Sequence, residues 1–331
     1  MSDPRAKTVF LAAVAAVGLL LASAVFVPGH AAPQAHARAT RAPNGNAPMA
    51  DVAVFVALAA HPQILGVQYK LMSAFARDVG SYNVYIDCPA NEKEACFQAC
   101  SGLVGGIPVR CIDVPDGVHS LAPGVFPAER CREVMDHILV DIFNQNQVAL
   151  LLDVDMLPWK RFELQRVLMG LPLAFTPHHR PNAPGDKFSY SGSVEYFDEH
   201  FMLIDPPRLL SMAPRFAFGR GDCYDQLCDV GAATAPWLRN NSHVPIVRVP
   251  QYRDPLPSAM SRLVFGDMVD FVQRDTVFCD TSQGMPCVEF IGKDFEFMHL
   301  TRASGYDGAS NQLWAQRLDR IERFLYARTG L

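Results

Sequence analysis

The chain has 331 residues, half of them apolar and 19% charged, with a net charge of −5. This composition excludes an intrinsically disordered chain, and the lack of a basic stripe excludes the electrostatic footprint of a nucleic-acid binder. The length suits one large folded domain or two modest ones.

Arg5 and Lys7 precede a run from Val9 to Val27 in which only Ser23 is clearly polar. Nineteen such residues are enough to cross a bilayer as a helix. A cleaved signal peptide has a shorter apolar centre of about 7–15 residues. The run therefore reads as a signal anchor, and positive residues before it predict a cytosolic N-terminus and a translocated body. AHA at 35–37 offers a cleavage site, and cleavage there makes the body a secreted one. Residues 28–48 are rich in Pro, Ala and Gly, lack hydrophobic periodicity and read as a flexible stem.

From Asp51 onward, strands and helices alternate. Residues 51–60 are β-branched and apolar, a first strand. Apolar residues at 64, 65, 67, 71, 72, 75 and 79 predict a helix over 64–80. Strands follow at 82–87, 107–114 and 148–155, separated by helices at 91–103, with Asn91 as cap, and at 128–145. Beyond 155 come a helix at 161–170, a strand at 172–179, a polar loop at 181–192, a strand running into a turn at 200–210, a short strand within 237–250, a strand at 295–300 and a closing amphipathic helix at 309–328. The alternation predicts an α/β fold, a mostly parallel Rossmann-like sheet flanked by helices, with a mixed C-terminal half.

Nine cysteines fit an oxidising compartment. Cys223 with Cys228, or Cys279 with Cys287, can close short loops, whereas Cys96 and Cys100 read as packed helix residues. Asn240-Asn241-Ser242 is a glycosylation sequon.

Ligands of doubly wound sheets bind beyond the carboxyl ends of the strands. Asp87, Asp113 and Asp153 all fall at such ends, and only the fourth strand carries a second acid, Asp155, one residue on. Side chains two apart on an extended segment share a face, so both carboxylates can reach one ion. Hard oxygen donors suit Mg²⁺ or Mn²⁺, which neutralise a diphosphate as it departs. The bland alternative has one aspartate capping a helix and the other in solvent.

An apolar strand ending in Asp153-Val154-Asp155 after three βα units, behind an anchor and stem, resembles a glycosyltransferase of the GT-A fold. The resemblance implies Mn²⁺ or Mg²⁺ held by Asp153, Asp155 and a late histidine, which is His299 in FEFMHL. It implies a UDP- or GDP-sugar donor, a glycan, protein or lipid acceptor, and a Golgi-like secretory membrane. Residues 1–8 are then a cytosolic tail, 9–27 the anchor, 28–48 the stem, 49–155 the donor-binding half and 156–331 the acceptor-binding half. Asp229 is the candidate base, because it lies in an Asp-x-Gly segment like those near GT-A acceptors, and Asp225 competes with it. Asp87 and Asp113 are candidates for the nucleoside, and Arg302, Ser304 and Gly305 for the diphosphate. His178, His179, Arg180 and Lys187 read equally as a phosphate contact or a solvated loop. Trp159 and Trp237 read as core residues before they read as sugar platforms.

Two rival classes remain at this stage. A haloacid-dehalogenase-type phosphohydrolase also carries an apolar strand ending in DxD, but there the strand comes first in the fold. A non-catalytic secretory protein can keep the same fold as a binding module.

Overall fold

The computed structural model describes residues 51–59, 62–115, 127–181, 193–218, 231, 234–253, 289–293 and 296–300, together with positions 318, 319, 322, 323, 325–327 and 330. Two compact units, Met1–Ala47 and Pro48–Leu331, divide the chain, and every described residue belongs to the second. Among the described residues no helix is long and apolar enough to cross a membrane. The span predicted at 9–27 lies outside them, as does the loop 182–192.

The sheet that carries the site opens with β1 (Val52–Leu58), β2 (Val79–Ile86), β3 (Val109–Asp113) and β4 (Ala149–Asp153). Helices α1 (Pro62–Phe75), α2 (Lys93–Ser101) and α3 (Pro127–Phe143) make the crossovers between them. β1 pairs in parallel with β2 on one side and β4 on the other. All of β1 and β4 is buried, because helices or strands cover both faces, and this is why their sequences read as unbroken apolar runs.

Alternate residues of β1 feed two cores. Val52, Val54, Val56 and Leu58 join Ile64, Leu65 and Leu71 of α1 on one face. Ala53, Phe55 and Ala57 join Val134, Ile138 and Ile142 of α3 on the other. With Met135 and Leu139 beside them, these α3 residues recur at intervals of three and four, the helical period that shows its buried stripe in the sequence.

Beyond β4 the chain departs from simple alternation. β5 (Met156–Pro158) and α4 (Leu164–Leu168) lead to β6 (Leu173–Pro181), β7 (Ser193–Ile204), α5 (Pro206–Leu210), α6 (Ala235–Asn240) and β8 (Ile246–Arg248). Then come β9 (Gln251–Arg253), β10 (Glu289–Ile291) and β11 (Phe297–His299). The large sheet has the order β3-β2-β1-β4-β7-β6-β8, in which β7 alone runs antiparallel to its neighbours. A second sheet has the order β5-β11-β10-β9 and is antiparallel throughout. The positions described within the predicted closing helix are helical.

Four sequence expectations change. The helix predicted over 64–80 ends at Phe75, and Val79 and Gly80 already belong to β2, because Val79 pairs with Val52 of β1. Asn91 does not cap α2, whose first turn follows Glu92 with no side-chain cap bond. The helix predicted over 161–170 shrinks to Leu164–Leu168, ended by Met169 and Gly170, both at positive φ. Its N-terminus is capped from elsewhere, since Asp78 accepts the N–H groups of Leu164 and Gln165 at 3.0 and 2.8 Å. Cys96 and Cys100 are not merely packed. Cys96 bonds Cys88, and Cys100 bonds Cys111, tying α2 to the segment just after β2 and to β3. The other two proposed pairs lie outside the described residues.

Candidate metal centre

The site is built at the carboxyl end of β4. There the apolar run ends at Asp153, which pairs with Ala57 of β1. Leu152 pairs with Phe201 of β7 in antiparallel register. One step further along both strands stand Asp153 and His200, so the register itself sets this histidine beside the first aspartate.

The chain then turns through Val154 and Asp155 into β5. Met156 pairs with His299 of β11, and the Leu300 N–H donates to the Asp155 carbonyl at 3.1 Å. The second sheet thereby carries His299 to the turn. Asp155 Oδ1 lies 3.4 Å from His299 Nε2, and the His200 and His299 rings are 3.8 Å apart at their centroids. Asp153, His200 and His299 can each present a donor atom within 4.8 Å of the others. Asp153, Asp155 and His299 are buried and His200 is half-buried.

Burying carboxylates this close is costly. Burial, and next the charge of Asp155, push the Asp153 carboxyl up to about 7, while His200 and His299 and the Val154 N–H draw it back. The Val154 N–H donates to Asp153 Oδ1 at 2.8 Å. One carboxylate, Asp153, with the two imidazoles of His200 and His299 forms a donor set that fits a divalent cation, the species that removes this penalty. Asp155 stands beside it against His299 and is not among those mutually close donors.

A glutamine that the sequence reading passed over holds the turn in shape. Gln68 of α1 is fully buried, and its Nε2 donates to the carbonyls of Asp153 and Met156 at 2.7 and 2.8 Å. Those carbonyls are the two ends of the Asp153-Val154-Asp155-Met156 turn. The buried Tyr82 hydroxyl in turn donates to Gln68 Oε1. Burial raises the Tyr82 phenol well above its ordinary value, which keeps it a donor. The only sequence signal for Gln68 is a polar residue amid the apolar stripe of α1. His200 gives none beyond its place at the head of HFMLI, because strand pairing decides its neighbour.

The remaining candidates are dispersed. Asp87 follows β2 and is buried, its N–H donating to Leu58 O at 2.8 Å. Asp113 ends β3 with Lys93 Nζ 2.6 Å from its Oδ1. Asp225, Asp229, Arg302, Ser304, Gly305 and Lys187 lie outside the described residues, as do the side chains of His178, His179 and Arg180. Trp159 is buried beneath Lys160, and Trp237 packs on Phe197 and Phe216 with its Nε1 donating to Pro214 O, so both serve the core.

No family model and no curated protein matches the chain. Among solved structures it is similar to the galactosyltransferase LgtC in complex with donor and acceptor sugar analogues, with 18% identity and a TM-score of 0.35 over 59% of this chain and 66% of that one. An active-site mutant of LgtC matches at 17% identity and a TM-score of 0.36, over 59% of this chain and 65% of that one. A 4-diphosphocytidyl-2C-methyl-D-erythritol synthase from Anaerococcus prevotii matches at 7% identity and a TM-score of 0.34, over 60% of this chain and 88% of that one. The chain thus spans just under two thirds of LgtC's own length. Superpositions this loose carry no weight beside the strand order, from which the mixed α/β fold with its mostly parallel sheet is evident directly.

Proposed function

We propose that the chain is a metal-dependent glycosyltransferase that moves a sugar from a nucleoside diphosphate to a hydroxyl of a glycan, protein or lipid, anchored in a secretory membrane through residues 9–27. One observation carries the reading. Two buried carboxylates and two histidines, drawn from β4, its following turn, β7 and β11, meet at the carboxyl end of a doubly wound sheet.

Asp153, Asp155, His200 and His299 would hold the ion, Mn²⁺ or Mg²⁺. When bound, it supplies positive charge to the departing diphosphate. The rest falls to the chain. Gln68 fixes the turn that carries Asp153 and Asp155. The Val154 N–H holds one Asp153 oxygen and leaves the other for the ion. Asp87, buried at the end of β2, offers an acceptor on the nucleoside side. Asp229, or Asp225 in its stead, would take the proton of the acceptor hydroxyl, and Arg302, Ser304 and Gly305 would bind the diphosphate.

A panel of UDP- and GDP-sugars, incubated with the full-length chain and Mn²⁺, tests this reading through release of the nucleoside diphosphate. One donor is expected to turn over, and Asp153→Ala with Asp155→Ala to abolish its turnover. Undiminished turnover in the double variant removes the metal from the reaction. Silence with every donor, alongside hydrolysis of a phosphate ester, moves the assignment to a phosphohydrolase.

A further inference from the structure

A cavity of 710 Å³ lies between the start of α4, the end of β8 and the β10–β11 turn. None of Asp153, Asp155, His200 and His299 lines it. Its wall holds five cationic side chains and two carboxylates, in a chain whose acids outnumber its bases by 34 to 29. Two of the cations are already matched. Arg248 makes a two-point pair with Glu195, and Arg166 pairs with Glu163. Among the described residues, Arg77, Arg161 and Lys293 have no carboxylate partner.

Those three come from separate segments. A backbone bridge between Ala76 and Phe162, with the Phe162 N–H donating to Phe75 O at 3.1 Å, sets Arg77 beside the Arg161 segment. Lys293 enters from the β10–β11 turn. Beneath them the floor is aromatic and continuous. Phe297 touches Phe162 and Phe201, with ring centroids at 4.7 and 5.3 Å.

We propose that this cavity binds a small molecule that joins an oxyanion head, phosphate or carboxylate, to an apolar body. Guanidinium groups at the mouth present the forked donors that match such a head. The phenylalanine floor takes the apolar part, and the volume falls within the range of about 300–1,000 Å³ usual for small-molecule sites. The site stands independently of the proposed glycosyl transfer, since it shares no residue with the metal centre.

Isothermal titration of the full-length chain with hexyl phosphate, inorganic phosphate and hexanol tests it. Hexyl phosphate is expected to bind saturably and about tenfold more tightly than either fragment. The exposed pair Arg161→Glu with Lys293→Glu should cost hexyl phosphate about tenfold in affinity and leave melting temperature unchanged, while Arg110→Glu, outside the cavity, should leave its binding as it was. The proposal is overturned if hexyl phosphate fails to saturate by about 10 mM, if phosphate alone binds as well, or if the double variant binds it as the parent does.

Discussion

Replacing Gln68 with leucine removes one side chain and strands three groups. The carbonyls of Asp153 and Met156 lose a donor and the Tyr82 hydroxyl loses its acceptor, all in the interior. Each orphaned buried group costs about 1–3 kcal/mol, or roughly 3–6 kcal/mol together with partial relaxation. Leucine's own burial returns about 1 kcal/mol, so the net loss is roughly 2–5 kcal/mol. In a body of this size that is a fall of roughly 5–15 °C in melting temperature. Tyr82→Phe added to Gln68→Leu should recover about 1–2 kcal/mol, because the orphaned hydroxyl is gone, so the two changes will not add. Urea unfolding gives the free energies, and a Mn²⁺ titration followed by electron paramagnetic resonance gives the consequence for the site. Gln68→Leu should weaken Mn²⁺ binding while the protein is still folded. A stability loss under about 0.5 kcal/mol, or simple additivity with Tyr82→Phe, or unaltered Mn²⁺ affinity, would refute the claim that this glutamine holds the turn.

Other tests follow from the same geometry. The Asp153 carboxyl, raised to about 7 in the fold, sits near 3.9 in an unfolded chain, so between those values the folded state keeps a proton that the unfolded state releases. Metal-free protein should therefore lose stability as pH rises from about 4 to about 7, by up to about 4 kcal/mol. Asp153→Asn should flatten that slope, and added Mn²⁺ should offset it at pH 8, both read by thermal melts. His200→Gln is expected to weaken Mn²⁺ binding by at least about tenfold, the loss typical of even an outer-shell partner, and Mg²⁺ binding by less, because imidazole favours the softer ion. Calorimetric titration with each ion distinguishes the two. Cys100→Ser opens the loop to Cys111 and should cost about 3 kcal/mol in denaturant unfolding.

The first half of the fold is legible because β1 and β4 are buried on both faces and the helices beside them carry apolar residues at three- and four-residue intervals. β5, β9 and β10 are not, since strands of three residues are too short to show a period of two. Asp153 and Asp155 announce themselves by charge at the end of an apolar run. His299 follows from the resemblance. Gln68 and His200 owe their roles to partners about 85 and 47 residues away in sequence, across an α1–β5 contact and the β4–β7 pairing, and no local pattern encodes either.

The metal centre is stitched from two sheets, and the stitch is short. Three residue pairs between β5 and β11 deliver His299 to Asp155. Side chains alternate along a strand, so a slip of one rung there turns the imidazole to the opposite face. Deleting a single residue between Ile291 and Phe297 would thus disarm the ion site while the seven-stranded sheet beneath it kept its own ladders intact. Editing one hairpin is therefore enough to take one of the three donors out of the candidate cluster.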